Sequence, residues 1–326
     1  MIGPPHSHFS RARRRLGHAW RIRAGLLVLA LVALPALFAE LLAADAPIVA
    51  QTPQGWALLP AVGRAAPAGA GWDRARFAIW PVLRHGPNTA SAAGPHAAAT
   101  WEHPLGTDGA GRDVAARLIY GARGALGAAA AALLAALLLG VVAGALAGHF
   151  GGFWDELLAR PVELCAAFPP VVVAAVVLVA WPGGSVGALA LAVAAVRWAE
   201  LARLVRAEVI RLGAADFVLG ARAVGCSPWR LLARHVLPHA MGPVLVSLMF
   251  GMASTVLLEA ALSFLGIGLD VSWGSLIAGG LAPSARPTPL LAAAAALAVT
   301  VGASYLVADA LGENVDGRVA TSGGRR

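Results

Sequence analysis

Ser254 and Ser263 place hydroxyls, and His235 and His239 place imidazoles, in and beside one apolar stretch of the chain. These are hydrolase residue types, and a hydrolase needs its nucleophile and base within hydrogen-bond reach of each other. The spacing does not favour that chemistry. Neither serine has a G-x-S-x-G setting, no H-E-x-x-H pattern occurs, and Ser254 and the histidines fall at different depths of the stretch. Glu259 is an ionisable residue inside it. An acid there is either satisfied by polar neighbours at a helix interface or acts in gating or along a pathway. The basic residues exclude a further class. All 25 are arginine, so the chain has no P-loop lysine, no Schiff-base lysine and no kinase-type strand lysine. It does not hydrolyse ATP by a Walker mechanism of its own.

The elements that must position these residues are apolar. Of 326 residues, 59% are hydrophobic and 13% charged, against about 25% charged in soluble domains. The mean hydropathy is +0.72. This is a membrane composition. The net charge of +8 does not indicate nucleic acid, because no stacking aromatics interleave with the arginines. Arginines that fix membrane topology account for it better. Cys165 and Cys226 form neither a C-x-x-C motif nor a disulfide framework.

A basic tail, residues 1–23, precedes an apolar run, Ala24–Leu42, of about 29 Å as a helix. The run is longer than a signal-peptide core and reads as a retained first span, with a cytoplasmic N-terminus. Residues 44–120 are broken by Pro47, Pro53, Pro60, Pro67, Pro81, Pro87, Pro95 and Pro104, and read as a long outer loop or small subdomain. Further spans are expected at Gly124–Gly148, Pro161–Ala180, Ser185–Val205, Ala240–Leu265 and Thr288–Ala308. His149–Arg160 reads as a polar turn, and Trp181-Pro182-Gly183-Gly184 as the turn between the third and fourth spans. In the fourth span Arg197 and Glu200 share a helical face; they either pair within the membrane or sit at its interface. The segment 203–239 carries Arg203, Arg206, Arg211, Arg222, Arg230 and Arg234. With four spans before it, this segment returns to the side of the basic N-terminus. The expected fold is an all-α integral membrane protein of six transmembrane helices, with a five-helix core over 121–312, a tail over 313–326 and both termini cytoplasmic.

Within the inner loop 207–239, the run Asp216–Pro238 reads as a short helix, a glycine break, a second short helix and a proline at the entry to the fifth span. Such a helix docks into a groove on a cytoplasmic partner or lies on anionic lipid. The loop resembles the EAA motif of ABC-importer permeases: Gly225, nine residues, His235, then Leu237-Pro238. Leu219-Gly220-Ala221 replaces the motif's Glu-Ala-Ala. The resemblance makes Asp216, Ala221, Gly225, Arg230, His235, Leu237 and Pro238 the residues that couple to an ATP-hydrolysing subunit.

A second segment runs His103-Pro104-Leu105-Gly106-Thr107-Asp108-Gly109-Ala110-Gly111-Arg112-Asp113, with Arg117–Arg123 following. From the residues alone, Gly106-Thr107-Asp108 predicts a tight turn and a helix N-cap, with Arg112 and Asp113 bonding locally. The segment resembles the signature of the C-type permease of dipeptide, oligopeptide and nickel importers. That makes Gly106, Thr107, Asp108, Gly111, Arg112 and Asp113 either a structural lock or a contact with the binding protein or substrate. Gly148–Gly152 with Asp155-Glu156, Phe168-Pro169, Leu258–Gly268 and Ser272-Trp273-Gly274 extend the resemblance over about residues 100–316. Phe38–Leu42 and Asp45-Ala46-Pro47, with the enlarged loop, resemble the branch that imports microcin C-like peptides.

What the resemblance implies is a type I ABC-importer permease core in the bacterial inner membrane that moves di- or oligopeptides. A nickel or other metal-chelate importer is the alternative. The implied partners are a homologous second permease, two ATP-binding subunits, a periplasmic or lipid-anchored binding protein and membrane lipid, with no nucleic acid. ATP and magnesium belong to the partner subunits. The chain itself is expected to bind no cofactor or metal and to have no catalytic residues.

Overall fold

The computed structural model describes residues 8–52, 55–61, 72, 75–181 and 185–323, with side chains from 19 to 313. Helix α1 (His8–Leu37) is followed at Phe38 by the single turn α2 (Ala39–Leu42). Among its described residues the outer segment then holds three strands, β1 (Val49–Thr52), β2 (Gly55–Leu58) and β3 (Phe77–Ile79). They form an antiparallel sheet in the order β2-β1-β3. Its prolines exclude a long helix, but short strands between prolines survive. The sheet was not foreseen.

Helix α3 (Val114–Phe150) begins inside the segment read as loop, because Asp113 caps it. Then come α4 (Gly152–Ala167) and α5 (Pro170–Ala180), bent by 86° where the sequence predicted one span over Pro161–Ala180. The break is at Phe168-Pro169-Pro170: proline lacks an N–H and pushes the residue before it out of the helical region. The polar turn expected at His149–Arg160 is also helical, apart from a reversal at Gly151 and Gly152, which have φ of 63° and 49°. Pro182-Gly183-Gly184 lie outside the described residues.

Helix α6 (Val186–Gly213) follows, capped by Ser185. The inner loop contains α7 (Asp216–Ala223), α8 (Pro228–Leu231) and a π-helical turn, Leu232–Val236, which runs into α9 (Leu237–Phe264). The outer connection carries α10 (Trp273–Gly280), which was not foreseen, and α11 (Pro287–Gly323) continues as helix through much of the expected tail.

Among the described residues, four stretches of helix are long and apolar enough to cross a membrane: Ala19–Leu37, Val114–Phe150, Pro228–Phe264 and Pro287–Glu313. The bent α4–α5 pair makes a fifth if its two helices count as one span. Helix α6 falls short on composition, since Arg197, Glu200, Arg203 and Arg206 lie within it.

α6 nevertheless packs the full inner half of α3, through glycines spaced four apart. A Cβ on Gly140 would stand 3.0 Å from the Trp198 carbonyl oxygen, one on Gly144 would stand 2.8 Å from Val205 Cβ, and one on Gly148 would stand 2.8 Å from the Arg206 carbonyl. Small residues on one ridge let two backbones touch, which is how helices gain dispersion contact in lipid. Residue numbers rise together on the two helices, so α3 and α6 are parallel and the α4–α5 pair returns the chain once between them. Helix α1 runs antiparallel to α11: Gly25 meets Ala303 and Val307, and Arg21 pairs with Asp309 and Glu313. The start of α1 and the end of α11 therefore lie at one end of the bundle. The inner loop lies there too, since Trp229 touches Phe150 at the end of α3.

Filling the ridge should separate the helices. Gly144→Val is expected to destabilise the purified chain in detergent by about 1–3 kcal/mol or to prevent folding. Gly302→Val, where nothing lies within 4 Å of a Cβ, is expected to leave the thermal midpoint nearly unchanged.

Candidate functional site

The inner loop has an apolar rear and an apolar front. At the rear, Val218, Leu231, Leu232 and Val236 are buried against Leu201, Val205, Val209 and Leu212 of α6. At the front, Val224 is 85% and Trp229 63% exposed, with Phe217 and Leu219 about half-exposed beside them. Trp229 also packs on Phe150, ring centroids 4.8 Å apart, and Phe217 on His239 at 5.0 Å.

The backbone explains two of the motif positions. The Cys226 N–H donates to the Ala221 carbonyl at 3.1 Å and the Gly225 N–H to the Arg222 carbonyl at 3.0 Å. This bond pair closes a helix on a left-handed residue. Gly225 has φ of 82°, a region that costs a β-carbon about 1–2 kcal/mol. Ala221 and Cys226 are the half-buried pair that seats this turn on the core. Pro238 has no N–H to return to the preceding turn, and the helix widens there into the π turn. His239 Nδ1 bonds the His235 carbonyl at 2.7 Å. Asp216 sits in the first turn of α7, where its charge suits the helix dipole. Asp216, Arg230 and Pro238 are exposed, while His235 and Leu237 are half-buried. Leu219, where the motif has glutamate, is 48% exposed on the front. Behind the loop, Asp155 takes two bonds from Arg206 at 2.6 Å, tying α4 to α6.

The second signature lies at the other end of α3. Gly106 and Gly111 have φ of 76° and 75°, so the tight turn is present. The N-cap is Asp113 rather than Thr107 or Asp108: its Oδ1 accepts from the Ala116 N–H at 2.7 Å. Asp108 instead accepts from the Ala110 and Arg112 backbone N–H groups and from Arg112 Nε, at 2.8–2.9 Å. Thr107 donates to the Gly94 carbonyl at 2.7 Å.

Two further residues in the quoted segments prove central, although neither was singled out. His103, 2% exposed, bridges Asp113 Oδ2 and Ser91 Oγ at 2.7 Å each. Arg117, also 2% exposed, donates to the carbonyls of Pro87 and Asp270. His85, His103 and Asp113 bring ligand atoms within 4.8 Å of one another, but both His103 nitrogens are taken. The group is wired as a hydrogen-bond chain from Ser91 to the cap of α3.

Glu259 is fully buried and accepts from Ser263 Oγ at 2.7 Å, while that oxygen accepts from the Leu269 N–H at 2.8 Å. The carboxylate thus holds the reversal after α9. The hydrolase residues do not assemble. His239 and Ser254 lie on one helix about 22 Å apart at 1.5 Å per residue, and Ser263 is engaged with Glu259. One G-x-S-x-G spacing, at 183–187, escaped the sequence reading; its Ser185 hydroxyl accepts from the Ala188 N–H at 3.1 Å as the cap of α6.

Residues 136–321 match the family described as binding-protein-dependent transport system inner membrane component. A putative peptide permease protein of Brucella suis biovar 1 is 32% identical over 205 residues, which cover 62% of this chain and 67% of the relative. The oligopeptide transport system permease protein OppC of Bacillus subtilis is 30% identical, over 66% of this chain and 72% of its own. The dipeptide transport system permease protein DppC of Alkalihalophilus pseudofirmus is 33% identical, over 54% and 59%. Among solved structures, the MetNI methionine ABC transporter in inward-facing form matches 60% of this chain and 95% of its own, with a TM-score of 0.50 and 15% identity. That last likeness is one of fold.

Removing the cap tests the lock at the outer end of α3. Asp113→Ala deletes an N-cap and leaves His103 without its buried partner, an expected cost of about 2–4 kcal/mol. Thermal unfolding in detergent measures it, and adding His103→Asn to Asp113→Ala is expected to recover less than half of the loss.

Proposed function

The chain belongs to the family of binding-protein-dependent transport system inner membrane components, and from that premise we propose that it is the C-type permease subunit of an ATP-driven peptide importer. As a family member it is a multi-pass inner-membrane ABC permease and a transport component rather than an enzyme. The proposal adds the substrate, the partners and the coupling route. Di- or oligopeptides are the substrate class, supported by the names of the relatives. The partners are a homologous second permease, two ATP-binding subunits that hold ATP and magnesium, a periplasmic or lipid-anchored binding protein, and lipid. The inner loop and both termini would face the cytoplasm, an orientation that the arginine distribution supports.

The observation that carries this reading is the two-sided inner loop. Its rear is fused to α6 and α3 through a buried apolar cluster, so a push on the loop moves those helices. Its front presents Val224 and Trp229 to the surface, as a short helix seated in a partner's groove would. ATP-driven closure of the partners would then tilt α3 and α6 as one body and alternately expose a path between the permeases.

Val224→Asp places a charge in the centre of that contact without disturbing the buried rear. Recovery of the ATP-binding subunit with the tagged permease is expected to fall by at least about tenfold, with peptide uptake by a complemented deletion strain falling in parallel. Full recovery of the ATPase with Val224→Asp and Trp229→Ala combined would remove the coupling role.

A further inference from the structure

The charged pair inside α6 has no role in coupling or in the outer lock. Arg197 donates to Glu200 one turn on and to Ser254 of α9. Three helices fix its depth. Trp198 is level with Gly140 of α3, and Gly251 of α9 is level with Leu133. The uncharged stretch of α3 runs from Gly124 to Gly148, so its middle is near residue 136. Arg197 therefore lies at mid-membrane, where a charge is costly and is retained for pairing, a pathway or a ligand.

Pairing alone does not describe this site. The Arg197 side chain is 21% and that of Glu200 40% exposed, and both the guanidinium and Ser254 line an open cleft of about 470 Å³ between α6, α9 and α11. Phe250 and Tyr305 form its aromatic wall, ring centroids 5.4 Å apart. Ser247 lines it one turn before Phe250. The cleft thus offers a planar donor fork and an apolar wall at the depth a translocating solute must cross, and Glu200 pairs with the fork from outside the lining. A guanidinium fork matches a carboxylate in shape and charge.

We propose that this cleft is a substrate-contact site in which Arg197 receives the C-terminal carboxylate of the peptide and Glu200 is its counter-ion when the site is empty. The proposal rests on the peptide-importer reading above. Exchange of Glu200 for the peptide carboxylate keeps Arg197 paired throughout, so the charge is never left alone in the membrane. The apolar wall accepts side chains of varied size, which suits a carrier that reads the peptide's end rather than its sequence.

The test uses the complete transporter purified in detergent, with Ser247→Cys introduced in a chain bearing Cys165→Ser and Cys226→Ser. Maleimide modification of position 247 is followed by mass spectrometry of this chain. Trialanine and its C-terminal amide are added directly at millimolar concentration, without binding protein. Trialanine is expected to protect the thiol, and the amide to need about tenfold more for the same protection, the effect of losing one charge-assisted contact. Arg197→Gln should erase that difference and Glu200→Gln should keep it. If Arg197→Gln yields no assembled complex, Arg197→Lys, which keeps the charge without the fork, should weaken protection by trialanine and leave the amide unchanged. Equal protection by acid and amide in the unsubstituted complex, a difference that survives Arg197→Gln, or one that is undiminished in Arg197→Lys, overturns the proposal. Peptide uptake by the unsubstituted complex, reconstituted in liposomes with its binding protein and ATP, is measured in parallel. Its absence removes the importer reading and this inference together, whereas uptake without Arg197-dependent discrimination overturns this inference alone.

Discussion

Backbone contact between α3 and α6 is the constraint on which the other features depend. Lipid offers no hydrophobic drive for two apolar helices to associate, so close packing must supply it. Gly140, Gly144 and Gly148 let the α6 chain approach until its carbonyls and β-carbons stand where the glycines' own β-carbons would be. Two helices in such contact cannot slide independently. The pair is therefore a rigid member with a different device fixed at each end.

At the inner end the member carries the loop whose buried rear, Val218 to Val236, shares one core with α6. At the outer end it carries the polar lock of Asp108, Asp113, His103 and Arg117. Arg117 reaches Asp270 beyond α9, and Trp273 Nε1 donates to the Leu118 carbonyl at 3.0 Å. The outer ends of α3 and α9 are thus joined, while their inner ends meet at the loop. A displacement of the loop has few soft joints through which to dissipate, because α3 is hydrogen-bonded to its neighbours at the outer end and packed on the loop at the inner end. The carboxylate of Glu259 serves the same end, since it fixes the turn that leads α9 into α10.

Much of this was legible in the sequence wherever a residue type leaves a single physical option. Apolar runs longer than a bilayer core located four of the six expected spans, and Gly225 marked a helix break that is left-handed. The absence of lysine excluded a P-loop before any motif was considered. Other features were hidden for identifiable reasons. The Gly140–Gly148 ridge lies in an Ala- and Leu-rich helix whose periodicity is nearly flat, so no face stands out. Asp108 and Asp113 are both good caps by type, and only the turn at Gly111 decides which one meets a helix N-terminus. The Phe168-Pro169-Pro170 break was concealed because prolines at a helix start and prolines at a bend look alike in sequence. The small sheet escaped because its strands are only three or four residues long.

Arg197 shows where sequence and structure must be read together. By sequence, an arginine and a glutamate three apart near the end of an uncharged run fit a membrane interface as well as its interior. The glycine ridge adds a level. Since Gly140 meets Trp198, the same packing that makes α3 and α6 one body sets the guanidinium beside the middle of the uncharged stretch of α3. Those charges are also why α6 lacks the composition of a spanning helix. An arginine kept at that depth against its desolvation cost, facing a cleft rather than a sealed core, needs an anionic partner in every state of the cycle. Glu200 supplies one when the cleft is empty, and a solute that carries its own carboxylate supplies the other.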